Sequence, residues 1–195
     1  MDEQSAAARW NPRWARRRPP LDEPTPLIMA HTKSLSVGAR VLELASGNGR
    51  DTLPLARRGL HVTAVDASDV ALDQLAQAAE AEGLAVVCTL LDLQTGALPP
   101  GEAFDAIVSA NYFQPGLLQR QRVHLKPDGI IIFVQPSTTN LERHARPSAR
   151  FLVDDDAVDA LCAGMLVLHR SAAWRDNGRH EVHLVVRPAP LAAPS

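Results

Sequence analysis

The sequence predicts a doubly wound α/β fold: a mostly parallel sheet between two helical layers, finished by an antiparallel hairpin. Three observations carry that prediction. From Arg40 onward, short apolar runs alternate with helical periodicities. The run Gly129-Ile-Ile-Ile-Phe-Val134 has no polar alternation. Near the C-terminus, two strand-like segments flank Asp176-Asn177-Gly178. Strand and helix in alternation imply right-handed crossovers and parallel pairing. A strand without a polar face has to be covered on both sides. Asp-Asn-Gly between two strand patterns is a strong hairpin signal.

Residues 1 to 25 are polar and rich in Pro and Arg, so they read as an arm. Trp10 and Trp14 are four apart and share a face of any short helix there. Large aromatics in so polar a segment predict that the arm folds back onto the body. Leu27 to Leu35 reads as a helix leading to Gly38, and the division falls between 1–36 and 37–190. In the body, Val41 to Ala45 is the first strand and Asp51 to Arg58 a helix stopped by Gly59. His61 to Val65 is the second strand. Val70 to Glu82 is a helix with Leu72, Leu75 and Ala79 on one face and Gly83 as its stop. Leu84 to Leu91 and Phe104 to Ala110 are the third and fourth strands. Leu117 to Leu125 reads as helix, and 129–134 as the fifth strand. Asp154 to Cys162 is a short helix with an acidic first turn, which suits its dipole. Met165 to Trp174 and His180 to Arg187 form the hairpin.

Bulk properties narrow the function. The 195 residues suit one core, with 46% apolar and 22% charged residues. Twenty basic residues against 22 acidic give no electrostatic case for a nucleic-acid partner. Cys88 and Cys162 sit in apolar runs without metal-ligand or CxxC spacing, as reduced core cysteines do. No run approaches the ~20 apolar residues of a membrane span. Arg9, Arg13, Arg16, Arg17 and Arg18 resemble a mitochondrial address, but Asp2, Glu3 and the prolines at 12, 19 and 20 oppose it. His180 and His183, three apart on a strand, face opposite sides, so no metal site is expected there. The expectation is a cytoplasmic protein, monomer or homodimer, that handles a small molecule away from membranes and without a metal.

Open α/β sheets bind ligands beyond the carboxyl ends of their strands. The residues at those ends are Ala45-Ser-Gly-Asn-Gly49, Asp66, Asp92, Asn111-Tyr112-Phe113 and Gln135-Pro136-Ser137. Gly47 and Gly49 allow backbone to approach a ligand and offer N–H donors at a helix start. Asp66, about 20 residues past the glycines, is placed to accept both hydroxyls of a ribose. Asp92 suits an exocyclic amine, or simply caps the next turn. Each feature alone is ordinary, but in register at successive strand ends they describe a nucleotide-type crevice.

These segments resemble class I S-adenosylmethionine-dependent methyltransferases. The resemblance runs through Arg40-Val-Leu-Glu-Leu-Ala-Ser-Gly-Asn-Gly-Arg50, His61-Val-Thr-Ala-Val-Asp-Ala-Ser68, Leu90-Leu-Asp-Leu93, Phe104 to Asn111 and Leu125-Lys-Pro-Asp-Gly129, covering roughly residues 40 to 135. It implies a seven-stranded sheet with an antiparallel last strand, and S-adenosylmethionine as cofactor. It further implies that Glu43, Ala45, Ser46, Gly47 and Gly49 line the methionine side. Asp66 with Ala67 would hold the ribose, Asp92 and Leu93 would sit by adenine, and Asn111 beside the methyl group. Ala45 and Ser46 stand where many members have glycine and cysteine. The Trp-containing arm, expected over the cofactor site, and the compact length are similar to the tellurite-resistance and thiopurine branch.

In-line methyl transfer mainly needs alignment and exclusion of water, so no catalytic residue is identifiable from sequence. Tyr112 and Phe113, with Arg143, His144, Arg146 and Arg150 in the 140–150 loop, are the candidates for the acceptor mouth. Those cations would clamp an anion, and solvated loop charges are the plain alternative. A nucleic-acid methyltransferase is one rival, but Asn111-Tyr-Phe-Gln replaces the Asn/Asp-Pro-Pro-aromatic pattern of amino-group methylating enzymes, and two other rivals remain. One is a cofactor-binding module with a partner role but no turnover. The other is a NAD(P)-dependent oxidoreductase, whose GxGxxG fingerprint is broken at Thr52.

Overall fold

A computed structural model describes residues 5–17, 23–95, 98 and 103–189. Its centre is one seven-stranded sheet in the order β3-β2-β1-β4-β5-β7-β6. The strands are β1 (Arg40–Leu44), β2 (His61–Asp66), β3 (Val86–Leu90), β4 (Phe104–Ala110), β5 (Leu125–Pro136), β6 (Met165–Trp174) and β7 (His180–Pro188). The first five pair in parallel, and β7 lies antiparallel to both β5 and β6. This is the predicted sheet, and it turns back at β1–β4, where the strand order reverses. That switch point opens a crevice at the carboxyl edge.

Each face is buried by a different helical set. Val41, Val62, Ala106, Val108, Ile132 and Val185 pack under α2 (Pro26–His31) and α3 (Thr52–Arg57), and Ala64 under α4 (Asp69–Ala81). The opposite face carries Leu42, Leu44, Ile107, Ile131, Phe133, Val182 and Leu184. It packs against α5 (Leu117–Arg120) and α6 (Val158–Leu161). β5 and β7 are almost wholly buried through their middles, as a strand covered on both sides must be.

Several predicted boundaries shift. The helix read over Leu117 to Leu125 is one short α-turn, which tightens into a 3-10 turn at Gln121–His124 and gives way to β5 already at Leu125. Pro127 and Gly129 are poor helix residues and fall where the β4–β5 register shifts, between the pairs Phe104–Leu125 and Ala106–Ile130. The helix read over Asp154 to Cys162 likewise starts as a 3-10 turn, Asp155–Ala157, before α6. Among the described residues no helix joins β3 to β4. Val87 is consequently 61% exposed on the sheet face. A cavity of about 460 Å³ lies there, lined by Leu42, Thr63, Val65, Val87, Thr89 and Phe104. It sits on the face of the sheet, away from the carboxyl edge.

The arm folds back as its tryptophans predicted. Ser5 Oγ accepts from the Ala8 amide and starts α1 (Ala6–Trp14), which continues through Pro12. The helix lies against the start of α4. Asn11 donates to Asp69 Oδ1 at 2.6 Å and accepts from Ser68 Oγ at 2.7 Å, while Gln74 Nε2 donates to the Trp14 carbonyl at 2.9 Å.

Candidate functional site

The carboxyl ends of β1 and β2 are built mostly from backbone. After Leu44 the chain enters left-handed conformations at Ala45 (φ 54°), Gly47 (φ 55°) and Gly49 (φ 99°). The turn is closed by the Gly49 amide donating to the Ser46 carbonyl at 3.2 Å. Each glycine has its own reason. A Cβ on Gly47 would stand 2.6 Å from the Trp14 ring, and one on Gly49 would stand 2.5 Å from Leu75 Cδ1. Gly47 therefore admits the arm, and Gly49 admits α4.

Asp66 holds this turn from the next strand. Its Oδ2 accepts from the Gly47 amide and its Oδ1 from the Ser68 amide, both at 2.8 Å. Burial pushes its carboxyl up, and the backbone donors at Ser68, Gly47 and Ala67 pull it down. A carboxylate offers about four lone-pair sites, so the backbone donors leave Asp66 room to accept from a ligand. Two hydroxyls presented together would suit it.

Under the turn lies a buried polar cluster. Thr52 Oγ1 donates to Glu43 Oε2. Asp51, at the start of α3, takes the amide of Thr25 at 2.5 Å and its hydroxyl at 2.8 Å, and Arg50 closes on Asp51 at 2.8 Å. Burial, with the Asp51 carboxylate beside it, pushes the Glu43 carboxyl up to about 8. Ser46 is buried in the same turn, and Asn48 Nδ2 donates to Gln74 Oε1 at 3.2 Å.

Further along the edge, Asp92 Oδ1 accepts from the Gln94 amide at 2.9 Å, the turn-capping role that sequence left open beside ligand binding. Leu93 is buried in the core of that face. Asn111 is exposed and left-handed (φ 60°), with its amide donating to the Val134 carbonyl at 2.9 Å. The Tyr112 hydroxyl is pushed up to about 12 by burial and by the nearby Asp92 carboxylate, with Asp66 adding to the effect. Phe113 stacks edge-on with Phe133 at 6.4 Å.

The cationic loop does not converge as a clamp. Arg143 lies 3.7 Å over the Trp174 ring, and His144 Nε2 pairs with the Gly178 carbonyl at 2.8 Å. Arg150 covers Phe151, and Arg146 is exposed. What does assemble at this end is a set that sequence reasoning did not join: Ser137, Asn140, Asp155, Trp174, Arg179 and His180. The hairpin turn Asp176-Asn177-Gly178 (Gly178 φ 77°) brings Trp174 and His180 to one place. His183 bonds Glu181 instead, on the other face. The one available signal was register: β7 antiparallel to β5 must put its first residue beside the last of β5.

Comparison with known proteins agrees with this picture. Residues 41–129 match the model of a methyltransferase domain family. A ubiquinone biosynthesis O-methyltransferase from Paramagnetospirillum magneticum is 28% identical over 161 residues, 80% of this chain and 57% of that protein. A thiopurine S-methyltransferase from Gluconobacter oxydans is 36% identical over 76 residues, 37% of this chain and 34% of that protein. The chain thus spans about half or less of these curated relatives. Among solved structures, TehB from Haemophilus influenzae superposes with a TM-score of 0.70 at 20% identity, covering 83% of this chain and 61% of that one. The CcbJ methyltransferase from Streptomyces caelestis gives 0.70 at 18%, covering 97% of this chain and 100% of the other. The fold is the one these solved methyltransferases share, and residues 41–129 are the part that matches the family model.

Proposed function

We propose that the chain is an S-adenosylmethionine-dependent methyltransferase acting on a small molecule by in-line transfer. One observation carries this reading. A left-handed glycine turn and the Asp66 carboxylate that holds it meet at the strand-order reversal of the sheet, with Asp92 and Asn111 at the next strand ends. The donor set fits the cofactor. Glu43 and the 45–49 turn, Ala45, Ser46, Gly47 and Gly49, would receive the amino-acid end. Asp66 and Ala67 would take the ribose, and Asp92 and Leu93 the base, with Asn111 nearest the reacting methyl. The bound cofactor supplies an electrophilic methyl on a positively charged sulfur. The chain's own work is to align the acceptor and exclude water. Tyr112 and Phe113 would form the acceptor wall, with His144 and Arg146 on the mouth loop.

The arm, residues 1–36, acts here as a cover and residues 37–190 as the catalytic body. The contact of Trp14 with Gly47 supports this, because it puts the arm over the turn that would hold the cofactor. A cytoplasmic location, a monomer or homodimer, and the absence of a nucleic-acid partner belong to the same reading. No described helix is long and apolar enough to cross a membrane.

Thermal shift tests it. S-adenosylmethionine and its demethylated product should each raise Tm, and NAD should not. Stabilisation by NAD alone, or unchanged cofactor affinity in Asp66→Ala, would defeat the proposal.

A further inference from the structure

The upper end of β5 and β7 carries a polar cluster that methyl transfer, as described so far, leaves unused. Ala110, the last residue of β4, pairs with Val134, and Ser137 lies three residues further along. The Ser137 amide donates to the His180 carbonyl at 3.0 Å. By strand alternation His180 shares a face with Val182 and Leu184, the face on which Tyr112 and Phe113 pack. Arg179 Nη1 donates to Asn111 Oδ1 at 3.1 Å and ties β7 to the end of β4. His180 therefore stands on a wall rising past Asn111, on the side of the aromatic pair.

Its ring is held in one orientation. Nδ1 is 2.6 Å from Ser137 Oγ and 3.5 Å from Asp155 Oδ1. Trp174 meets the ring edge-on at 5.5 Å, and Asn140 clasps the His180 amide and carbonyl. Asp155 Oδ2 accepts from the Thr138 and Thr139 hydroxyls and the Thr139 amide. Burial pushes the Asp155 carboxyl up, but hydrogen bonds from the Thr139 hydroxyl, the Ser137 hydroxyl and the Thr139 amide, with His180 nearby, outweigh it and hold the carboxyl below its usual range. Ser137 Oγ is the nearer partner of Nδ1, and its hydroxyl donates to the ionised Asp155, so its oxygen is left to accept the Nδ1 proton and the neutral imidazole keeps a lone pair on Nε2. The charged groups around the ring are Asp155, its chain neighbour Arg179, and Arg143 and His144 against Trp174.

We propose that His180 Nε2 is the general base of the transfer, and that the acceptor carries a weakly acidic hydroxyl rather than a soft anion. This rests on the methyltransferase reading above. As the acceptor's O–C bond forms, the sulfonium S–C bond breaks and its electron pair stays on sulfur, which leaves as a neutral thioether. The hydroxyl proton passes to Nε2, Asp155 stabilises the imidazolium, and the proton then departs to solvent. A thiolate or similar soft anion needs no such base.

The test is labelled methyl transfer from S-adenosylmethionine to catechol and to thiophenol at one fixed pH. It compares wild type with His180→Gln and Asp155→Asn. Binding of the demethylated cofactor by calorimetry runs beside it, as does ¹⁵N NMR of the wild-type histidine rings without cofactor. In wild type, catechol is methylated and the ring carries its proton on Nδ1. In His180→Gln the ratio of catechol to thiophenol turnover falls about 100-fold, with cofactor affinity unchanged. Asp155→Asn shows the same change in smaller degree and keeps the assay decisive if His180→Gln does not fold. Three results overturn the proposal: no catechol methylation in wild type, an unchanged ratio in the variants, or a proton on Nε2. Failure of wild type to bind the demethylated cofactor sinks the underlying methyltransferase reading instead, and the calorimetry identifies that case.

Discussion

The two ends of the carboxyl edge are made differently. At β1 and β2 the site is mostly backbone: a glycine turn, two amides fixed by Asp66, and a tryptophan resting where a side chain on Gly47 would be. At β5 and β7 it is side chains, with Ser137, Asp155 and His180 meeting from three segments and Trp174 and Arg143 alongside. A backbone-built end presents the same donors whatever side chains surround it, which suits a ligand common to many enzymes. A side-chain-built end can be rewritten residue by residue, which suits an acceptor that differs between them.

The largest effect that would break this contrast is expected at Asp66. Asp66→Ala removes the acceptor for two backbone amides as well as any ribose contact. Cofactor affinity should fall about 100-fold, roughly 2.7 kcal/mol, by calorimetry. A loss below about threefold would mean that the turn holds itself.

Gly49→Ala comes next and tests rigidity rather than binding. It forces a Cβ to 2.5 Å from Leu75 at φ 99°, and should cost about 2 kcal/mol of stability, read as Tm and denaturant midpoint. An unchanged Tm would show that α4 yields at no cost.

The pH dependence of Glu43 is a subtler probe of the same end. Its folded carboxyl, at about 8, holds its proton more tightly than the unfolded value of 4.5. Its contribution to stability is therefore complete below pH 4.5 and is lost as pH rises through 8. A tenfold change in proton affinity is ~1.4 kcal/mol. Glu43→Gln should consequently gain several degrees of Tm over wild type at about pH 9 and little at about pH 5. If the gap between the two proteins does not widen with pH, Glu43 is ionised throughout.

The smallest effect sharpens the division of labour. Trp14→Ala should weaken cofactor binding by about tenfold while moving Tm by at most about 2 °C, because no residue of α1 is fully buried. Equal losses in stability and binding would make the arm part of the core instead of a cover.

What the sequence made legible follows the same line. Strands covered on both faces, glycine stops and the Asp-Asn-Gly hairpin are local signals, and β1, β2, β4 and the β6–β7 pair fall within a few residues of expectation. The stretch from Leu117 to Leu125 misled because its apolar spacing fits one helix, whereas only Leu117–Arg120 is α-helical, a 3-10 turn follows, and β5 takes Leu125 through pairing with Phe104, a tertiary effect. Ala45 to Gly49 and Asp66 were readable because each sits directly after its own strand. Ser137, Asp155 and His180 were not, since 18 residues separate the first two and only the antiparallel register brings the third to them. Arg143 and His144 were noticed for their charge, yet what places them is Trp174, some 30 residues away in sequence.

Hydrogen exchange with and without the demethylated cofactor tests the central claim, that a backbone-built cofactor end is distinct from the acceptor end. Slowed exchange is expected at the Gly47 and Ser68 amides and through α1, Ala6–Trp14, with residues 137–150 and 174–180 unchanged. Protection confined to 137–150 and 174–180, or none at the glycine turn, would contradict it.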